Sequence, residues 1–257
     1  MKTLLLAAAG LTAVAIAPAL AADLPARTPA YAKAPAIVEP IYNWSGFYIG
    51  INGGGGSSRD CWSINNALGV AVPSTAEGCH NATGALVGGQ AGYRWQMTNW
   101  VFGLEAQGDW ADLKGSNVSQ LTAPFAVFNN NSKINAIGLF TGQVGYAWNN
   151  VLLYAKGGAA VTDNNYSVIS NATAAELSST GSNTNWGAVV GAGLEVGFAP
   201  NWSVGVEYDH IFMDQQNQTF TTPAGVQLTD TFRTGGDTDL VTARINYRFG
   251  ATGIPKY

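Results

Sequence analysis

From Trp44 onward, apolar residues alternate with small or polar ones in segments of about ten. A two-residue period marks a strand with one apolar face, and a tilted strand of this length crosses a bilayer. The first segment, 44–53, sets Phe47, Ile49 and Ile51 against Tyr48, Gly50 and Asn52. The same pattern recurs at 84–95, 100–110, 137–148, 151–161, 186–198, 202–212 and 240–249. In the last, Val241, Ala243, Ile245, Tyr247 and Phe249 oppose Thr242, Arg244, Asn246 and Arg248. Each segment alone is a weak signal; their repetition carries the reading. The prediction is all-β: an eight-stranded antiparallel up-and-down transmembrane β-barrel over 44–249, closed by the last strand on the first.

The links alternate as well. Short ones fall at 96–99, 149–150 and 199–201; long ones fall near 55–83, 112–135, 162–185 and 213–238. Short periplasmic turns and long outer loops are the outer-membrane arrangement. The long links are rich in Asn, Ser, Thr and Ala and read as solvated, mobile loops.

Parity places Arg94, Glu105, Asp109, Lys156, Glu195, Glu207, Asp209, Arg244 and Arg248 on one face of their strands. The opposite face is aliphatic or aromatic almost throughout. Lipid must bathe the apolar face, so the ions belong to the lumen. A water-soluble barrel would reverse the two faces. A buried charge without a partner is costly. Arg94, Lys156, Arg244 and Arg248 are therefore expected to neutralise some of the five acids. Trp95, Trp100, Trp148 and Trp202 lie at segment ends, where interfacial aromatic girdles form.

Composition narrows the choice. Charged residues make up only 11%, against roughly 25% in soluble domains. With 32 glycines, 11% aromatics and no long apolar run beyond the N-terminus, the chain is neither disordered nor a helical membrane protein. A net charge of −4 argues against nucleic acid as a partner.

Residues 1–21 read as a cleaved secretory signal: Lys2, an apolar stretch, then Ala19-Leu20-Ala21. A Pro/Ala-rich periplasmic linker, 22–43, follows, and 250–257 form a short tail. In an oxidising compartment the two cysteines, Cys61 and Cys79, suggest a disulfide. Free thiols and a metal site are the alternatives, and His80 alone is thin support for a metal. No cofactor, metal or catalytic group is expected. A hydrolase would need a serine and a base within reach. Only His80 and His210 exist; the first sits in a loop and parity turns the second toward lipid.

The chain resembles an alphaproteobacterial family of porin-like, immunogenic outer-membrane proteins with opacity-type, OmpA-like eight-stranded barrels. The segments that carry the resemblance are Ala22-Asp23-Leu24-Pro25, Tyr42-Asn43-Trp44-Ser45-Gly46-Phe47-Tyr48-Ile49-Gly50, Leu152-Leu153-Tyr154-Ala155-Lys156-Gly157-Gly158, Pro200-Asn201-Trp202-Ser203 and Asn246-Tyr247-Arg248-Phe249. The resemblance implies a surface protein of the outer membrane, with relatives described as porins or linked to haem binding or host contact. It implies as partners outer-membrane lipid, periplasmic chaperones and the barrel-assembly machinery, with Tyr247 and Phe249 as the assembly signal. Family members usually end on that aromatic residue, whereas this chain continues to Tyr257. Three functions follow as expectations: an envelope barrel meeting the environment or a host through its loops, a narrow porin for small hydrophilic solutes, or loop-mediated binding of a ligand such as haem.

Overall fold

The computed structural model describes residues 42–67, 69–120 and 128–250. The leader, most of the linker and the tail after Gly250 lie outside them. The strands are β1 (Gly46–Ala67), β2 (Val70–Met97), β3 (Trp100–Val118), β4 (Phe128–Trp148), β5 (Val151–Ser170), β6 (Glu176–Ser179), β7 (Asn183–Ala199), β8 (Trp202–Phe212), β9 (Gln216–Thr221), β10 (Gln227–Gly235) and β11 (Thr238–Phe249).

Eight of them close a ring in the order β1-β2-β3-β4-β5-β7-β8-β11, all neighbours antiparallel. The seam joins β1 to β11 in unbroken register from Phe47↔Phe249 to Ser58↔Thr238. Closure satisfies every strand edge within the ring, a condition imposed by a solvent that offers peptide groups no hydrogen bonds. Outside the ring stand Ile51, Leu104, Val206 and Val241, each 56–67% exposed, with Trp110 at 76%. Apolar exposure so continuous around a sheet marks a lipid-facing wall. Aromatic pairs gather at the short-turn end: Trp100 with Tyr146 at 5.5 Å, Trp202 with Tyr247 at 5.0 Å and Phe47 with Phe249 at 5.8 Å between ring centroids.

The expectation of long solvated loops is overturned at the other end. β1 and β2 run on as a ladder from Gly46↔Arg94 to Ala67↔Val70, with two register shifts. β4 and β5 likewise continue to Phe128↔Ser170. Above the eight-stranded ring, β6, β9 and β10 take over from β7, β8 and β11. β6 pairs with β5 and β9, β9 with β10, and β10 returns to β1 at Cys61↔Gly235 through Asn66↔Thr231. β1–β5 thus serve two stacked rings. In the upper one, the gap between β2 and β3 is tethered by Gln120 N–H donating to the Glu77 carbonyl at 3.0 Å and by the Asn117 amide donating to the same carbonyl, also at 3.0 Å. Polar alternation hides these extensions in the sequence. The aromatic side chains of their core, Trp62, Tyr166, Phe220 and Phe232, come from four separate segments and meet only in the fold.

Val206 is paired with Leu194 and Ala243 near the middle of the lipid-facing wall. Val206→Arg should cost about 2–4 kcal/mol, the range for a cation at the bilayer midplane. Urea unfolding in phospholipid vesicles measures it; an unchanged midpoint would place this face away from lipid.

Candidate functional site

The lumen of the eight-stranded ring holds a compact ionic core. Its centre is Arg244 of β11, fully buried. Arg244 Nη1 donates to Glu105 Oε2 at 2.9 Å and to the Tyr154 hydroxyl at 3.2 Å; Nη2 donates to Glu207 Oε1 at 2.6 Å and Gln107 Oε1 at 2.8 Å. Lys156 Nζ lies 2.6 Å from Glu207, 3.1 Å from Asp209 and 3.8 Å from Glu105. The Asp209 contact is an ion pair without hydrogen-bond alignment, since neither carboxylate oxygen has a hydrogen-bond partner.

A second cluster forms nearer the short turns. Arg94 Nη2 donates to Glu195 Oε2 at 2.9 Å, and its guanidinium lies over the Tyr48 ring at 4.4 Å. Glu195 also accepts from Asn246 at 3.0 Å and from Ser203. Charge-assisted bonds of this kind are the strong ones, and the three glutamates come from three different strands. The core therefore cross-braces the ring through its interior.

One of the nine residues behaves differently from the sequence expectation. Arg248 meets no carboxylate among the described residues. It donates to the Ser45 carbonyl at 3.2 Å and the Pro200 carbonyl at 2.8 Å, and its guanidinium stacks over Tyr42. Its level on β11 faces the short turns, where backbone carbonyls are the available acceptors. Asp109, paired with no cation among the described residues, accepts from Gln107 Nε2 at 2.8 Å.

Tyr48 and Tyr154 were not singled out in the sequence, although parity puts both on the polar face. Tyr48 donates to Glu105 at 2.6 Å and Tyr154 to Glu207 at 2.5 Å. Their rings lie where a Cβ on Gly92 or Gly193 would stand, so those two glycines make the space that lets the phenols reach the acids.

Apolar layers bound the core above and below. On the short-turn side lie Trp44, Val101, Ala147 and Leu152. On the other lie Leu86, Leu113, Ile137, Leu139, Val189, Ile211 and Leu240. An eight-stranded ring is about wide enough for its own side chains to fill, and these do.

Cys61 and Cys79 are directly opposed across β1 and β2 and form a disulfide in the upper ring. His80 bonds Asn117 at 2.7 Å and burial lowers its pKa. Glu77 accepts from Asn130 at 2.8 Å and Ser119 at 3.3 Å, beside a largely apolar cavity of about 240 Å³, and burial raises its pKa. His210 stands on the outer face, bonded to Asp239 at 2.7 Å. Tyr247 and Phe249 also face outward, their rings 4.9 Å apart.

A closed ring with a lipid-facing apolar wall and an ion-paired lumen defines a transmembrane β-barrel of the bacterial outer-membrane type. The family description for an outer membrane protein β-barrel domain matches residues 6–249, and the chain belongs to that family. It is 29% identical over 230 residues to the 31 kDa outer-membrane immunogenic protein of Brucella melitensis, covering 84% of this chain and 89% of that one. It is also 29% identical over 214 residues to the 22 kDa outer membrane protein of Rhizobium leguminosarum bv. viciae, covering 82% and 81%. Among solved structures, the outer membrane protein OprG of Pseudomonas aeruginosa shares the fold at a TM-score of 0.51 and 14% identity, covering 80% of this chain and 97% of that one. The protein is an outer-membrane protein.

Arg244→Met removes a partner from both Glu105 and Glu207 and should cost about 3–5 kcal/mol. Arg248→Met should cost less than half as much, because it strands no carboxylate. Urea unfolding of both variants in vesicles gives the order, and equal losses would refute the central place of Arg244.

Proposed function

We propose that this protein is a non-conducting envelope barrel that holds a rigid β-structure outside the cell for contact with the environment or a host. The observation that carries the reading is the upper ring. Strands rather than loops leave the membrane, and a disulfide and an aromatic cluster brace them. A scaffold of that kind fixes the geometry of the segments at its tip. Those segments are where recognition by outside molecules would fall.

The filled lumen supports the non-conducting part of the proposal. Solute passage would require breaking ion pairs whose side chains are at most 3% exposed and parting an apolar layer on each side. No catalytic step belongs to the reading; the two histidines bond Asn117 and Asp239, an arrangement without a nucleophile.

The reading extends to biogenesis. Residues 1–21 direct export and are removed, and 22–43 tether the barrel on the periplasmic side. Periplasmic chaperones deliver the chain, and the assembly machinery recognises the outward aromatic pair Tyr247 and Phe249.

Planar-bilayer recording of the purified protein should show no conductance steps above the bare membrane. Regular steps would replace this reading with a narrow pore. A Cys61→Ser/Cys79→Ser variant should be cut by trypsin at the exposed Arg59 faster than the unaltered protein, while its unboiled gel mobility stays that of a folded barrel. Equal cleavage rates would mean that the disulfide does not brace the upper ring.

A further inference from the structure

A small chamber lies between the upper aromatic cluster and the apolar layer below it. Tyr166 of the cluster and Ile134 of the layer both line it. Its polar wall comes from Ser58 and Asp60 of β1, Thr162 and Asn164 of β5, Asn185 of β7 and Thr238 of β11. Four oxygens there have no hydrogen-bond partner and almost no solvent contact: Asp60 Oδ2, Asn164 Oδ1, Asn185 Oδ1 and Thr238 Oγ1. Asp60 is 2% exposed, Asn164 4%, Asn185 3% and Thr238 1%.

The bonds around the chamber orient these oxygens. Trp62 donates its indole N–H to Ser132 Oγ at 3.2 Å, and Ser132 in turn bonds the Asp60 carboxylate. With the indole already donating to it, Ser132 has its own proton to give, so Asp60 accepts there and turns its other oxygen inward. Asn164 donates its amide to Thr162 at 3.0 Å, leaving its Oδ1 unengaged. No ion pair among the described residues includes Asp60. The basic residues on nearby strands, Arg59 and Arg233, are exposed.

We propose that this chamber binds one monovalent alkali cation, held by Asp60 and the neutral oxygens of Asn164, Asn185 and Thr238. Hard cations take oxygen donors of this mixed carboxylate, amide and hydroxyl kind. A buried carboxylate without a counter-ion is strongly disfavoured, and a single positive charge neutralises it. A divalent ion would leave an uncompensated charge, because the other acid on the rim, Asp214, is exposed. The space admits the centre of one water-sized guest, about 10 Å³, which suits a lone dehydrated ion. The bound ion would join β1, β5, β7 and β11 where the lower ring hands over to the upper one.

The test uses the full chain, folded from urea into detergent micelles in the salt under study so that the ion can enter. Thermal midpoints are compared in sodium chloride, potassium chloride, calcium chloride and choline chloride at equal ionic strength. Sodium or potassium should raise the midpoint by about 4 °C over choline, and Asp60→Asn should abolish the difference. Equal midpoints for the unaltered protein in all four salts would mean that the chamber holds water only, and would overturn the proposal without reference to any variant. A rise confined to calcium would overturn the monovalent assignment. An unchanged rise in Asp60→Asn would place the ion elsewhere.

Discussion

Hydrocarbon gives a peptide group nothing to bond, so a sheet in a membrane must end on itself. In this protein that requirement falls on the seam between β1 and β11, paired without a break from Phe47↔Phe249 to Ser58↔Thr238. The strands most distant in sequence must therefore meet before the last two edges are satisfied. Everything else in the lower ring follows from closure. It turns one face of each strand to lipid and the other to a lumen too narrow for more than side chains, so the polar residues on that face have to satisfy one another.

The ionic core is the consequence. Glu105, Glu195 and Glu207 stand on three strands, and Arg94, Lys156 and Arg244 on three others. Each cation therefore ties together strands that are not all hydrogen-bonded neighbours. A buried pair adds little net stability over an apolar core of the same shape, yet breaking one is expensive. The core's contribution lies in specificity: a one-residue slip in any strand would turn its charge to lipid. Tyr48 and Tyr154 extend the same logic, since their apolar rings fill the lumen while their hydroxyls complete the acids' bonds.

Above the membrane the constraint relaxes, because water can satisfy an open edge. The chain nevertheless closes a second circle, with β6, β9 and β10 in place of β7, β8 and β11. Here an aromatic cluster and a disulfide do what ion pairs do below. Between the two regimes lies the oxygen-lined chamber around Asp60. A carboxyl there is shielded by the aromatic cluster on one side and the apolar layer on the other, and burial pushes its pKa up to about 6.

Strand alternation alone was enough to read the lower ring. Eight apolar faces, the short turns at 96–99, 149–150 and 199–201, and the parity of Glu105, Lys156 or Arg244 are properties of the local sequence. A membrane on one side of a two-residue period leaves few alternatives. The partners of those charges were not readable. Arg248 has the same parity as Arg244 but a different level in the ring, so it meets backbone carbonyls instead of acids. The upper ring was missed for a related reason. Its strands are built from Asn, Ser, Thr and Gly, which carry no hydrophobic period, and Trp62, Tyr166, Phe220 and Phe232 become a core only once four distant segments converge. The sequence by itself determined which side chains face lipid, because that depends on parity within one strand. Tertiary structure decided which side chains face each other, because that depends on register and level between strands far apart in the chain.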